Sequence, residues 1–134
     1  MKILIVDDHD IVRKGIAAML GCEDNFEEIQ EAGSLDEGMK KLTIDLPDIA
    51  LIDVNLAGKN GLDIIEQARE KQIDTKFVVL TSSSRKGDFL RAKELEVDGY
   101  ILKDSNVEDI IYAIKSIARG RKFYDAQIVE QSKQ

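Results

Sequence analysis

Short apolar runs alternate with longer amphipathic ones along the whole chain. Lys2–Val6 (KILIV) predicts a first strand, with Asp7-Asp8 at its end. A helix follows from His9 or Asp10, because Ile11, Val12, Gly15, Ile16, Met19 and Leu20 recur at i, i+3, i+4 spacing; Gly21 is suited to end it. Glu27–Ala32 predicts a second, weaker strand, since Ile29 is its only strong β-former. Ser34 and Glu37 form an S-x-x-E capping box for a helix carrying Leu35, Met39 and Leu42, which stops ahead of the lone proline, Pro47. Ile49-Ala50-Leu51-Ile52 is so short and so apolar that it predicts a strand covered on both faces, ending on Asp53. A loop with Gly58 and Gly61 leads into a third helix through Leu62, Ile65 and Ala68. Phe77–Leu80 predicts a buried strand that runs into Thr81-Ser82-Ser83-Ser84, where Ser84 is suited to cap a helix with Phe89, Leu90, Ala92 and Leu95. Val97-Asp98-Gly99 reads as a turn, Tyr100-Ile101-Leu102 as the shortest strand, and Lys103 lies at its end. Asn106 caps a last helix with Val107, Ile110, Ile111, Ile114 and Ile117 on one face, ended by Gly120. Strand and helix thus alternate about five times, which calls for an α/β fold: a parallel sheet with helices on both faces.

With 134 residues the chain is sized for one domain, and 43% hydrophobic content is too high for a disordered segment. The longest apolar runs are strand-sized, so no membrane span is expected. Met1-Lys2 leads straight into a core strand rather than a secretory leader, and the single cysteine, Cys22, has no partner for an internal disulfide. Both observations point to the cytoplasm. With 19 basic and 26 acidic residues the net charge is −7, a poor basis for gripping nucleic acid directly. From Arg121 to Gln134 the strong periodicity is lost, and the end QIVEQSKQ reads more as the start of an interdomain linker than as a core element.

The candidate chemistry lies at the carboxyl ends of the predicted strands, where open α/β sheets bind their ligands. The first strand offers Asp7 and Asp8, the third Asp53, the fourth Thr81 and Ser82, and the fifth Lys103. Each has a plain structural reading too: Asp53 as a turn residue, Asp7-Asp8 as a helix cap, Lys103 as a solvated charge, Thr81 as a β-branched strand residue, Tyr100 as core. Together they form a set that single-residue explanations do not arrange. Clustered carboxylates raise one another's pKa, and a hard cation such as Mg²⁺ relieves the repulsion. A lysine and a hydroxyl beside them suit phosphoryl oxygens, so the set is what an aspartyl-phosphate intermediate requires. His9, the only histidine, is expected to be an exposed residue at a helix start, too far along to face Asp53.

These motifs, ILIVDDHDIVRKGI, LIDVNLAGKNGLDII, VVLTSS and DGYILKD, resemble those of the response-regulator receiver domain of two-component signalling. The likeness runs from Lys2 to about Arg121, and DDHDIVRKG with GYILKD is similar to the subfamily carrying a C-terminal LuxR-type helix-turn-helix. The resemblance implies a doubly wound (βα)5 sheet of flavodoxin-like order 2-1-3-4-5. It implies a receiver over residues 1–120 and, in 121–134, the start of a linker to a DNA-binding domain outside this chain. Asp53 is implied as phosphoacceptor, with Asp8, Asp53 and the backbone carbonyl of Asn55 holding Mg²⁺ and Asp7 acting weakly or through water. Lys103 and Thr81 are implied to contact the phosphoryl group, Ser82 to leave access to it, and Thr81 with Tyr100 to form the switch. The implied partners are a sensor histidine kinase as donor and a second copy of the chain on phosphorylation.

Two departures stand out. Leu56-Ala57-Gly58 replaces a frequent proline in the loop after the acceptor, which gives that loop more freedom. Asp104 follows Lys103 where many receivers have a cis proline; a non-proline cis bond costs about 2.5–4 kcal/mol, so a trans bond is expected. A stand-alone receiver acting by protein contact is the alternative. A haloacid-dehalogenase-type phosphatase would also phosphorylate an aspartate, but it needs D-x-D where this chain has Asp53-Val54-Asn55.

Overall fold

The computed structural model describes residues 1–82 and 85–125. The elements follow the predicted alternation: β1 (Lys2–Val6), α1 (Asp10–Gly21), β2 (Glu28–Ala32), α2 (Leu35–Asp45) and β3 (Ile49–Asp53). A small hairpin of β4 (Asn55–Leu56) and β5 (Lys59–Asn60) precedes α3 (Leu62–Glu70), β6 (Lys76–Thr81), α4 (Lys86–Glu94), β7 (Gly99–Leu102), α5 (Val107–Ala118) and β8 (Phe123–Tyr124). The main sheet has the order β2-β1-β3-β6-β7-β8 and every pairing in it is parallel. Its first five strands are the predicted 2-1-3-4-5.

Period-2 alternation in the strands divides the core into two halves. Leu4, Val6, Ala50, Ile52, Phe77, Val79 and Tyr100 face α2, α3 and α4, where Leu42, Leu62, Ile65, Ala68, Phe89 and Ala92 meet them. Ile3, Ile5, Ile49, Leu51, Val78, Leu80 and Ile101 face α1 and α5, meeting Ile16, Leu20, Ile110, Ile114 and Ile117. All five residues of β3 are buried, as its unbroken apolar run requires. The helix starts follow their caps: Ser34 Oγ accepts from the Glu37 amide (3.1 Å) and Asn106 Oδ1 from the Asp109 amide (2.9 Å). The expected cap Ser84 lies outside the described residues. Gly21 belongs to the last turn of α1, and Cys22 takes the capping position.

The sheet extends beyond Gly120, where the strong periodicity gives out. Phe123 and Tyr124 pair in register with Gly99 and Tyr100, and the Asp125 amide donates to the Tyr100 carbonyl at 2.9 Å. A two-residue strand is too short for alternation to reveal. What holds it is side-chain contact: the Tyr124 hydroxyl donates to the Val97 carbonyl (2.9 Å), and Phe89 meets the Tyr124 and Tyr100 rings edge to face at 6.0 and 5.4 Å. Removing that hydroxyl in Tyr124→Phe leaves the Val97 carbonyl short of a donor. We expect a loss of about 1 kcal/mol in urea unfolding, with an unchanged slope against denaturant.

Candidate functional site

Because β1, β3, β6 and β7 are adjacent and parallel, the residues at their carboxyl ends share one rim of the sheet. Asp7 and Asp53 are 1% and 2% exposed, so two carboxylates are held away from water at that rim. Lys103 answers them. Its Nζ donates to Asp53 Oδ2 at 2.7 Å and to Asp7 Oδ1 at 3.0 Å, and its backbone amide continues the sheet by donating to the Thr81 carbonyl at 2.6 Å. Burial pushes the Asp53 carboxyl above its ordinary value; the hydrogen bond from Lys103 opposes this, and the Asp7 charge adds to it. Burial alone would lower the Lys103 ammonium, yet its bonds to Asp53 and Asp7 leave it raised.

The backbone around Asp53 adds to these contacts. Asn55 donates its amide to Asp53 Oδ1 at 3.2 Å, and the Ala57 amide donates to Asp8 Oδ2 at 3.0 Å. The loop expected to be freer without proline is a hairpin, Asn55–Leu56 against Lys59–Asn60, turned by Ala57 and Gly58 at φ +52° and +84°. Gly61 packs on the Asp53 carbonyl: an added Cβ would lie 2.0 Å from its oxygen and 2.9 Å from Ile52 Cγ2. Beside Asp53 opens a cleft of about 290 Å³ lined by Asn55, Lys59, Thr81, Ser82, Arg85 and Asp88 among others. Ser82 is exposed there and Thr81 is buried. Tyr100 is fully buried, with its hydroxyl in no hydrogen bond of full geometry but close enough to feel the Thr81 side chain. Burial, with the Asp88 charge, pushes its phenol far up. No peptide bond among the described residues is cis, so the chain leaves Lys103 in the trans form that Asp104 leads one to expect.

The structure thus brings Asp7, Asp8, Asp53, Asn55, Thr81, Ser82 and Lys103 to one rim. It overturns the expectation for His9, whose Nδ1 lies 3.7 Å from Asp53 Oδ2 and 3.1 Å from Asp7 Oδ1. The reason is local: His9 is the extended residue before α1, and its amide donates to Asp7 Oδ1 (2.8 Å), which folds the ring back toward the strand end. Arg13 was missed as well. Its buried guanidinium donates to the Asp7 carbonyl (2.6 Å), to Asp10 (2.7 Å) and to Glu31 (3.0 Å), fixing the backbone under the acidic pair. Its i, i+3 spacing from Asp10 was the available signal.

One atom each from Asp7, Asp8, His9 and Asp53 can be chosen so that all lie within 4.8 Å of one another. Asp7 Oδ2 and Asp8 Oδ1 are buried without a hydrogen-bond partner. Oxygen-rich, acidic and under-satisfied, the cluster fits a hard divalent cation.

Fold and site together define a doubly wound α/β domain centred on a buried aspartate paired with a lysine at the rim of the sheet. Residues 3–115 match the sequence profile of the response regulator receiver domain, and the chain belongs to that family. It is 34% identical over 120 residues, 90% of this chain, to a nitrate/nitrite response regulator protein homolog of Haemophilus influenzae, 58% of which is covered. It is 31% identical over 125 residues to the DNA-binding transcriptional activator DevR/DosR of Mycobacterium tuberculosis, covering 93% of this chain and 58% of that one. Among solved structures, a LuxR-family two-component response regulator from Aurantimonas sp. SI85-9A1 is similar at a TM-score of 0.88 and 26% identity, covering 98% of this chain and 94% of that one. The chain spans about three fifths of the length of the curated relatives it matches.

The raised Asp53 carboxyl gives a signed pH dependence without metal. A carboxyl whose folded value is raised costs stability as pH climbs from its unfolded value, about 4, through its folded one. Asp53→Asn removes that cost. The stability of Asp53→Asn relative to the parent should therefore rise from about pH 4 upward and then level off, read from urea unfolding in EDTA; a difference that does not change with pH would contradict it.

Proposed function

We propose that this receiver is a phosphorylation-driven switch whose acceptor is Asp53. The observation that carries this reading is the Asp53 carboxylate, 2% exposed and bonded to Lys103 at 2.7 Å, beside an open cleft. Response regulators of two-component systems work with histidine kinases, and a kinase phosphohistidine is the donor here. An Asp53 oxygen supplies the electron pair for the new P–O bond as the P–N bond breaks, and that bond's electrons return to the imidazole. Lys103 neutralises one phosphoryl oxygen and the Thr81 hydroxyl donates to another. Asp8, Asp53 and the Asn55 carbonyl would hold Mg²⁺, with Asp7 acting weakly or through water. When bound, the ion supplies charge that stabilises the transferring group.

Thr81 and Tyr100 form the two-state element. A phosphoryl group that draws the Thr81 hydroxyl toward it changes the space into which buried Tyr100 packs, and that difference in contacts biases the equilibrium. The relatives include a DNA-binding transcriptional activator, which supports an output in transcription through a DNA-binding domain outside this chain. With a net charge of −7 the receiver does not supply DNA contacts itself, so dimerisation on phosphorylation would pair two such domains on half-sites. A cytoplasmic setting fits; no described helix is long and apolar enough to cross a membrane.

Incubation with acetyl phosphate and Mg²⁺ should add one phosphoryl mass to the intact protein and none to Asp53→Ala, and Asp8→Ala should lose most of the adduct. An adduct that persists in Asp53→Ala would place the acceptor elsewhere. In Thr81→Ala the adduct should still form, while the phosphorylation-dependent change in Tyr100 hydrogen exchange disappears. An equal change in both proteins would end the coupling idea.

A further inference from the structure

His9 is the chain's one histidine, and the phosphotransfer reading gives it no task. It stands at the start of α1, yet its side chain makes no capping hydrogen bond to the helix. The ring is 57% exposed while Nδ1 turns inward, 3.1 Å from Asp7 Oδ1, 3.2 Å from Asp8 Oδ1 and 3.7 Å from Asp53 Oδ2. Neighbouring donors around a six-coordinate ion with bonds near 2.1 Å are about 3 Å apart, so these separations are close to those of adjacent ligands. Nδ1 meets groups of both kinds: the Lys103 ammonium, which only donates, lies 2.7 Å away, and the Asp7 carboxylate, which only accepts, lies 3.1 Å away. One atom each from Asp7, Asp8, His9 and Asp53 converge, Asp7 Oδ2 and Asp8 Oδ1 are buried without accepting a hydrogen bond, and the Lys103 ammonium is the positive group beside them.

We propose that His9 Nδ1 is a direct ligand of the divalent cation at this site, and that the receiver therefore favours Mn²⁺ and later first-row ions over Mg²⁺. The proposal rests on the reading of Asp8 and Asp53 as metal ligands. Mg²⁺ wants oxygen donors, whereas imidazole suits the transition metals, whose affinity for a mixed nitrogen and oxygen site rises along the first row. Replacing one water by an imidazole thus shifts preference without removing any carboxylate.

A single histidine makes the test direct. The chain, in a buffer free of nitrogen ligands, is loaded with Mn²⁺ and its electron spin-echo modulation recorded. An imidazole ¹⁴N signal can come only from His9 and should vanish in His9→Ala. In calorimetric titrations the ratio of Mn²⁺ to Mg²⁺ affinity should fall at least about tenfold in His9→Ala, the low end of what even an outer-shell partner contributes to metal affinity. Circular dichroism checks that the variant is folded, and the parent spectrum is decisive without it. Bound Mn²⁺ with no ¹⁴N signal, or an unchanged affinity ratio, overturns the proposal; the phosphorylation reading then stands if Asp53 still gains its adduct with Mg²⁺. A parent chain that binds neither ion overturns both.

Discussion

The contact on which the site depends is that of the Lys103 ammonium with Asp53 and Asp7. Two carboxylates almost wholly removed from water repel each other; one ammonium bonded to both, at 2.7 and 3.0 Å, offsets that repulsion. It also joins the end of β7 to the ends of β3 and β1, strands far apart in sequence. The lysine has a flexible stem, so the same charge can follow a change in what it neutralises. A rigid guanidinium would follow such a change less freely.

Parallel pairing explains why such residues meet at all. Strands running one way deliver their last residues to the same rim, so chemistry needs only one or two residues after each apolar run. The close fit beneath the rim is equally a matter of backbone. Gly61 sits against the Asp53 carbonyl with no room for a Cβ, and Arg13 ties the Asp7 carbonyl to Asp10 and Glu31. Asp53 and Asp7 are thus positioned from below by groups that do not line the cleft.

Apolar runs with strand length, and helices with i, i+3, i+4 faces and oxygen-bearing caps, made the (βα)5 core legible, because burial on both sheet faces leaves a strong pattern. Asp7, Asp53, Thr81 and Lys103 were legible for the same reason, each following directly from a strand. His9 was not. Its orientation depends on an amide bond to Asp7 and one extended residue, a turn of the backbone that spacing along a helix does not encode. Arg13 reads as an ordinary surface charge until the fold brings Glu31 beside it. β8 escaped because two residues carry no period, and its evidence is tertiary: a tyrosine hydroxyl on Val97 and a ring against Phe89. The β4–β5 hairpin rests on Asp8 bonding the Ala57 amide across 49 positions of sequence.

β8 also changes what the sheet presents to other chains. Without it, Gly99–Leu102 would be the outermost strand, an apolar GYIL segment with a free row of backbone donors and acceptors, which is the composition that recruits further strands. With it, the outermost strand on that side among the described residues is two residues long and preceded by Arg121 and Lys122, while β2 on the other side carries Glu28 and Glu31 paired with lysine and arginine. Both margins are therefore short or charged. Tyr124 and its neighbours act as a cover against strand-to-strand aggregation, and any event that peels residues 123–125 away would turn the margin beside Tyr100 into a surface on which a second polypeptide could extend the sheet.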